Sequence, residues 1–356
     1  MKVLIFPATA FESIVFGTQL KKQGHFVIGA SSVNAELAAN LAFDENIYIS
    51  HITTSTFITE FIQVLEINQI THFWTSVDTV HNISRDILKN RNIESLNCDP
   101  MDNPLVPLDI IIPEVQQRQF YMGSLAHTLN SQSVNQQITC SMLFNTLAVP
   151  GQSHFDKLLT ICSIFSIVPK HGDIVEIGSL WGRSAFLFSL LSMFHQCGNV
   201  LCIDPWPNDG IAQNLDNVLE EYSVGVDSSV CFSHFCFKLS SLFLGKINYI
   251  RDYSQKVVDK YTSLENDIST PEFGAVAYKK EISLLHIDGN HGYESVKLDV
   301  KHWCPLVISG GWIIFDDYNW AYGGGPKEVI DDYLQQHCQD IEFAFYSGGA
   351  LFVKKY

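Results

Sequence analysis

The residues with the most chemical potential lie late in the chain. Leu284-Leu285-His286-Ile287-Asp288-Gly289-Asn290-His291 reads as a strand ending in a loop, with an Asp and a His three positions apart. Further on, Gly310-Gly311-Trp312-Ile313-Ile314-Phe315 ends in the pair Asp316-Asp317. In an open parallel sheet, ligands bind at the carboxyl ends of the strands, so neighbouring strand ends would bring Asp288, Asp316 and Asp317 together. No Lys or Arg is near them in sequence, and three unpaired carboxylates repel one another. The simplest relief is a hard divalent cation with oxygen ligands, and Mg²⁺ fits best because it keeps waters or substrate oxygens beside few protein carboxylates. His291 is the natural general base, since an imidazole titrates near working pH. The bland alternative has Asp316 and Asp317 only capping a turn and His291 only bonding backbone. His286, inside the strand, is expected in the core.

A second constellation begins at Asp173-Ile174-Val175-Glu176-Ile177-Gly178-Ser179-Leu180-Trp181-Gly182-Arg183-Ser184. A buried strand ends in an acid, two Gly and a Ser, then opens an apolar helix. Gly178 and Gly182 let the backbone turn sharply and approach a ligand. The following strand, Val200 to Ile203, ends in Asp204 roughly 20 residues beyond the loop, a placement suited to ribose hydroxyls. The loop lacks G-x-G-x-x-G, and Glu176 disfavours a pyrophosphate. An acid there suits a ligand carrying positive charge, and S-adenosylmethionine carries an ammonium and a sulfonium. Taken alone, the loop could equally be a plain strand–helix turn. Trp206 could lie over an adenine or be an ordinary core aromatic, and Asp252, after the strand Ile247–Ile250, is a further candidate contact.

The elements that must position these loops alternate between strands and helices, which predicts parallel sheets covered on both faces. Strands are expected at 2–6, 26–30, 47–49 and 70–74, with helices at 11–22, 55–67 and 79–90. This first unit is expected to span residues 1–118. Residues 119–149, rich in Ser, Asn and Gln, are expected to form a linker or connecting helix. A second α/β unit over 150–356 follows a helix near 153–167. Its strands are expected at 173–177, 200–203, 247–250, 282–287, 311–315, 341–346 and 350–354.

The chain has 356 residues, 46% of them hydrophobic and 17% charged, a composition that builds cores and excludes wholesale disorder. Lys+Arg 22 against Asp+Glu 38 leaves a net charge of −16, which argues against a general nucleic-acid or membrane-surface binder. The apolar runs are too short for a bilayer span. The N-terminus reads as a first strand, not a signal peptide. Nine Cys without a C-x-x-C pair argue against a disulfide framework or zinc site and for a reducing, cytoplasmic setting.

The loop after the strand 173–177 resembles the first motif of class I S-adenosylmethionine-dependent methyltransferases, acidic-x-G-x-x-x-G followed by Ser or Thr. The resemblance implies that Glu176, Gly178, Ser179, Gly182 and Ser184 surround the methionine part and Asp204 the ribose. From Pro150-Gly151 to the end, the strings VEIGSLWGRSA, CIDPW, HIDGNHGYESVKLDVKHWCPLVISGGWIIFDDY and GPKEVIDDYL resemble the macrocin O-methyltransferase-like group. That group includes metal-dependent sugar O-methyltransferases. It implies Asp288, Asp316 and Asp317 as metal ligands, His291 as base and a sugar hydroxyl on a small metabolite as acceptor. Some relatives place an acid two residues after the first metal Asp; here Asn290 stands there, which points to His291 or to no base at all. Cephalosporin hydroxylase-like proteins share much of the pattern, so hydroxylation is the rival reaction. A non-catalytic S-adenosylmethionine binder is the rival of another class.

Through KVLIFPATAFES, LKKQGHFVIGAS, the Asp44 segment before IYIS, and HFWTSVDTV, residues 1–118 resemble the N-terminal, pre-ATP-grasp domain of ATP-grasp ligases. The loop Thr9 to Ser13 lacks a phosphate-binding Gly motif, so no nucleotide hydrolysis is expected there. A substrate-recruiting module and a dimerisation domain, hence a homo-oligomer, are equally weighted roles. The expected fold is thus two Rossmann-like three-layer α/β/α domains, the second a class I methyltransferase fold.

Overall fold

The fold was obtained as a computed structural model. It describes residues 1–32, 42–96, 111–113, 115–116, 135–206, 227–263, 267–319 and 324–356. The chain divides into two compact units, Met1–Glu114 and Val115–Tyr356.

In the first unit, β1 (Lys2–Ile5), β2 (Phe26–Ser31), β3 (Glu45–Tyr48), β4 (His72–Trp74) and β5 (Glu94–Ser95) form one sheet in the order β3-β2-β1-β4-β5. All its pairings are parallel. Helices α1 (Phe11–Lys22), α2 (Phe57–Ile67) and α3 (Asp78–Asn90) provide the crossovers. Alternate residues of β1 serve opposite faces. Leu4 joins Phe57, Phe61 and Phe73 in one core, while Val3 and Ile5 join Phe16, Leu20 and Trp74 in the other. The two-residue β5 was not expected; Glu94 and Ser95 have no apolar pattern to mark a strand, and pairing to β4 alone defines it.

The second unit opens with α4 (Gln136–Leu147) and α5 (Phe155–Ile164). Its main sheet contains β6 (Asp173–Ile177), β7 (Val200–Ile203), β8 (Ile247–Ile250), β11 (Ile282–Ile287), β12 (Val307–Phe315), β13 (Ile341–Ser347) and β14 (Ala350–Lys355), with β9 (Ile268–Thr270) and β10 (Gly274–Val276) forming a separate antiparallel pair. The main order is β13-β14-β12-β11-β6-β7-β8. Every pairing is parallel except those of β14, which runs antiparallel to both β12 and β13. Helices α6 (Arg183–His195), α7 (Ser228–Phe243), α8 (Ser254–Thr262), α9 (Tyr293–Trp303) and α10 (Gly325–Gln336) complete the unit.

Strands β6, β7 and β11 are buried along their whole length, as central strands covered on both faces must be. The strand order reverses beside β6: the chain moves from β6 to β7 and β8 on one side, then returns to β11 on the other. The carboxyl ends of β6 and β11 therefore flank the topological switch point, where a crevice opens in sheets of this kind. No described helix is long and apolar enough to cross a membrane. Cys162, Cys202 and Cys231 are free and buried, consistent with packing roles.

Candidate active site

The β6 loop is built to be rigid. Gly178 adopts φ +83°, and a Cβ there would lie 1.9 Å from the carbonyl oxygen of Asp288. The glycine thus serves the close passage of two loops, not only a ligand. Gly182, at φ +90°, meets Phe235, whose ring would lie 2.7 Å from a Cβ. Asp204 closes the loop from the end of β7. Its Oδ2 accepts from the backbone N–H groups of Ser179 and Leu180 at 2.9 and 3.0 Å, and its Oδ1 from that of Trp206 at 2.7 Å. Burial pushes the Asp204 carboxyl above its ordinary value, against the pull of those donors. The donors that would cradle a phosphate are already occupied by this carboxylate, which accounts physically for the missing dinucleotide motif.

Several residues expected to touch cofactor turn inward. Glu176 is 0% exposed. Its Oε2 accepts from Ser179 Oγ at 2.7 Å, and its Oε1 lies 3.0 Å from His286 Nδ1. It ties the loop to the neighbouring strand through Ser179 and His286. Ser179 and Ser184 are buried as well. Trp206, suggested as a lid on adenine, is 1% exposed. Its ring packs 5.1 Å from both Phe232 and Phe235, and its Nε1 donates to the Leu180 carbonyl at 2.8 Å. Of the expected cofactor contacts, Asp252 has the most open carboxylate, 47% exposed, with Lys256 Nζ 3.8 Å away.

On the other side of the switch point, the strand ends gather the expected acids in two overlapping groups. His286, Asp288 and Asp316 offer ligand atoms all within 4.8 Å of one another, and so do Asp288, His291 and Asp317. Asp288 belongs to both. His291 Nε2 lies 2.7 Å from Asp317 Oδ2. The inner group is the less open of the two: His286 is buried and the Asp316 side chain is 10% exposed, against 41% for Asp317 in the outer group. Asp317 takes φ +51°, a left-handed conformation that an Asp tolerates better than most residues, and its backbone N–H donates to Asp316 Oδ1 at 3.1 Å.

The expectation of carboxylates without a nearby cation is corrected by Lys157. This residue of α5 is 1% exposed, and its ammonium pairs with Asp316 Oδ2 and lies 3.6 Å from Asp288 Oδ2. Burial alone would push its pKa down; the Asp316 and Asp288 charges outweigh that and hold it above its ordinary value. For Asp316, burial pushes upward, but Lys157 and His286 hold the carboxyl well below its usual range. Asp288 goes the other way, raised by burial and by the Asp316 charge. His286 is fully buried as expected, yet it is not inert. Burial lowers its pKa, while Asp316 and Glu176 raise it by more. Its Nε2 has no hydrogen-bond partner and lies 3.8 Å from Asp288 and from Asp316.

The donor set of carboxylate oxygens and imidazole nitrogen fits a divalent cation, and the orphaned His286 Nε2 marks an inner space bounded by polar atoms. The sequence carried one overlooked sign of Lys157. A lone cation adjoins Leu158-Leu159 in a helix whose residues 157–164 are all buried, and a buried lysine needs a partner.

Residues 175–318, less than half of the chain, match a family model described as a methyltransferase domain. No curated protein matches the sequence. Among solved structures, the O-methyltransferase NovP is similar at 19% identity, over 56% of this chain and 79% of NovP, with a TM-score of 0.42. CalS11, a calicheamicin methyltransferase, is similar at 15% identity, over 67% of this chain and 92% of its own, with a TM-score of 0.41. MycE, a methyltransferase from the mycinamycin biosynthetic pathway in complex with Mg, SAH and mycinamycin VI, is similar at 15% identity, over 58% of this chain and 50% of MycE, with a TM-score of 0.37. The matched segment runs from within β6 through the paired Asp at the end of β12, the elements that build both loops described above. That segment lies within the second unit, Val115–Tyr356, which thus contains a stretch similar to a methyltransferase domain.

Proposed function

We propose that the protein transfers a methyl group from S-adenosylmethionine to a hydroxyl of a sugar or glycosylated small metabolite, with a divalent cation, Mg²⁺ in the first instance, at the acceptor. The observation that carries this reading is the placement of Asp288, Asp316, Asp317 and His291 at the carboxyl ends of β11 and β12, directly beside the β6 loop. The sugar class rests on the Asp-Gly-x-His and Gly-Gly…Asp-Asp strings. In the same reading Asp204 and Asp252 contact the ribose and adenine ends of the cofactor, and the reaction takes place in the cytoplasm.

Asp288, Asp316 and Asp317 would hold the cation. When bound, it supplies Lewis-acid polarisation of the acceptor hydroxyl. His291 removes the hydroxyl proton, and Asp317, 2.7 Å from its Nε2, stabilises the imidazolium that results. The acceptor oxygen then attacks the methyl carbon in line with the departing sulfur. The carbon–sulfur bond breaks, its electron pair stays on sulfur, and S-adenosylhomocysteine leaves. The β6 loop is held by Asp204 and Glu176 before any ligand arrives, so little ordering is left for the moment of binding.

The test is a calorimetric titration of the full chain with S-adenosylhomocysteine, with Mg²⁺ and again with EDTA, followed by a screen of glycosides for a product 14 mass units heavier, the gain of one methylene equivalent. Binding in both conditions and a methylated glycoside are expected. No binding in either condition overturns the assignment, and an oxygen-sized mass gain replaces it with hydroxylation.

A further inference from the structure

Lys157 lies outside the segment matched by the methyltransferase-domain model and has no part in the mechanism above. It is nevertheless an almost fully buried ammonium against Asp288 and Asp316. Its position is fixed from behind: a Cβ on Gly348 would lie 2.2 Å from the Lys157 backbone nitrogen, so the β13–β14 turn passes tightly against α5. One turn along the helix, Thr160 Oγ1 and Ser347 Oγ share a hydrogen bond of 2.8 Å. The ammonium is therefore delivered to the inner group by a braced element, not by a mobile surface chain.

We propose that Lys157 is a built-in cation that competes with the divalent metal for Asp288 and Asp316, and so sets both how tightly the metal binds and where it sits. The inference rests on the metal-assisted reading and deepens it. The inner group of His286, Asp288 and Asp316 cannot hold a second cation while the ammonium lies against the same two carboxylates, because like charges at that range repel strongly away from bulk water. In the outer group of Asp288, His291 and Asp317 the ammonium pairs with Asp288 alone, at 3.6 Å, and this group is the more open of the two. A metal arriving there finds Asp288 shared with Lys157. Its affinity is held down, and it stays on the side where Asp317, the Asp316 oxygen that Lys157 does not pair with, and solvent supply the remaining ligands. Lys157 is in this sense a positioning residue: it keeps Asp316 charged and in place without itself touching the reacting atoms.

The experiment measures Mn²⁺ affinity by electron paramagnetic resonance of the free ion, in the native protein, Lys157→Gln and Lys157→Met, without acceptor. Thermal melts with and without Mn²⁺ are run on the same samples. Loss of the ammonium should tighten Mn²⁺ binding tenfold or more, and the metal should raise the melting temperature of both variants by more than it raises that of the native chain. S-adenosylhomocysteine affinity should stay within a few-fold. If the variants are unfolded without metal, Mn²⁺ should restore their circular dichroism, since it replaces the missing counter-charge. Equal or weaker Mn²⁺ binding in folded variants, or unfolded variants that metal does not rescue, overturns the proposal while leaving the metal-assisted reading intact. Absence of Mn²⁺ binding in all three chains overturns both.

Discussion

The two loops that meet at the switch point solve opposite problems. The β6 loop uses its acids to satisfy itself: Glu176 and Asp204 bind the backbone and side chains of their own neighbourhood. The β11 and β12 ends leave theirs in competition, with Asp288 drawn into two groups, Lys157 against one and His291 beside the other. A pre-satisfied loop loses little entropy on binding and suits a cofactor that must fit one way. A loop with contested carboxylates is poised to respond to whatever cation or hydroxyl enters. Under the proposed function, the difference separates a docking half from a reacting half.

That division can be broken from the reacting side first. His291→Ala should lower turnover by about 10²–10⁴-fold, the usual reach of general-base catalysis, with S-adenosylhomocysteine affinity near normal. Steady-state kinetics beside calorimetry checks it, and an equal loss in both would mean the halves are not separate. Gly178→Ala attacks the seam. A methyl group cannot fit 1.9 Å from the Asp288 carbonyl oxygen at φ +83°. Stability should fall by about 3 kcal/mol or more, visible as a lower denaturation midpoint, and both cofactor and metal binding should suffer together. A fall in only one would show that the loops move independently.

The smallest expected effect concerns Asp299, buried on α9 and bonded by Ser254 Oγ. Burial pushes its carboxyl up to about 6, with the Ser254 bond pulling the other way. Between about pH 4 and 6 the unfolded chain has lost this proton while the folded chain keeps it, so stability should fall as pH rises across that window. A shift of this size corresponds to up to about 3 kcal/mol before relaxation and solvent entry reduce it. Asp299→Asn should flatten that part of the stability–pH curve, and an unchanged slope would assign it to another group.

Much of this was legible in the sequence. Strands β6, β7, β8 and β11 fall where the apolar runs put them, because buried parallel strands leave a continuous hydrophobic signature. The convergence of Asp288, Asp316 and Asp317 follows from the rule that strand carboxyl ends meet at a switch point. Orientation was not legible. The motif fixes where Glu176 stands along the strand, but only the His286 partner across the sheet shows that it faces inward. Trp206 was ambiguous for the same reason. Lys157 was missed because its partner Asp316 is 159 residues away, and no local pattern encodes a pair at that range.

That separation also has a meaning in time. A chain emerging from the ribosome makes α5 long before β12 exists. At about 5–20 residues per second, the interval between Lys157 and Asp316 lasts on the order of ten seconds or more. During that interval α5 carries an ammonium amid its apolar residues with its acidic counterpart not yet synthesised, so the helix cannot settle into its final burial. Completion of the unit waits for one of its last strands, and the cluster of Lys157, Asp288 and Asp316 is among the last parts of the protein to come into being.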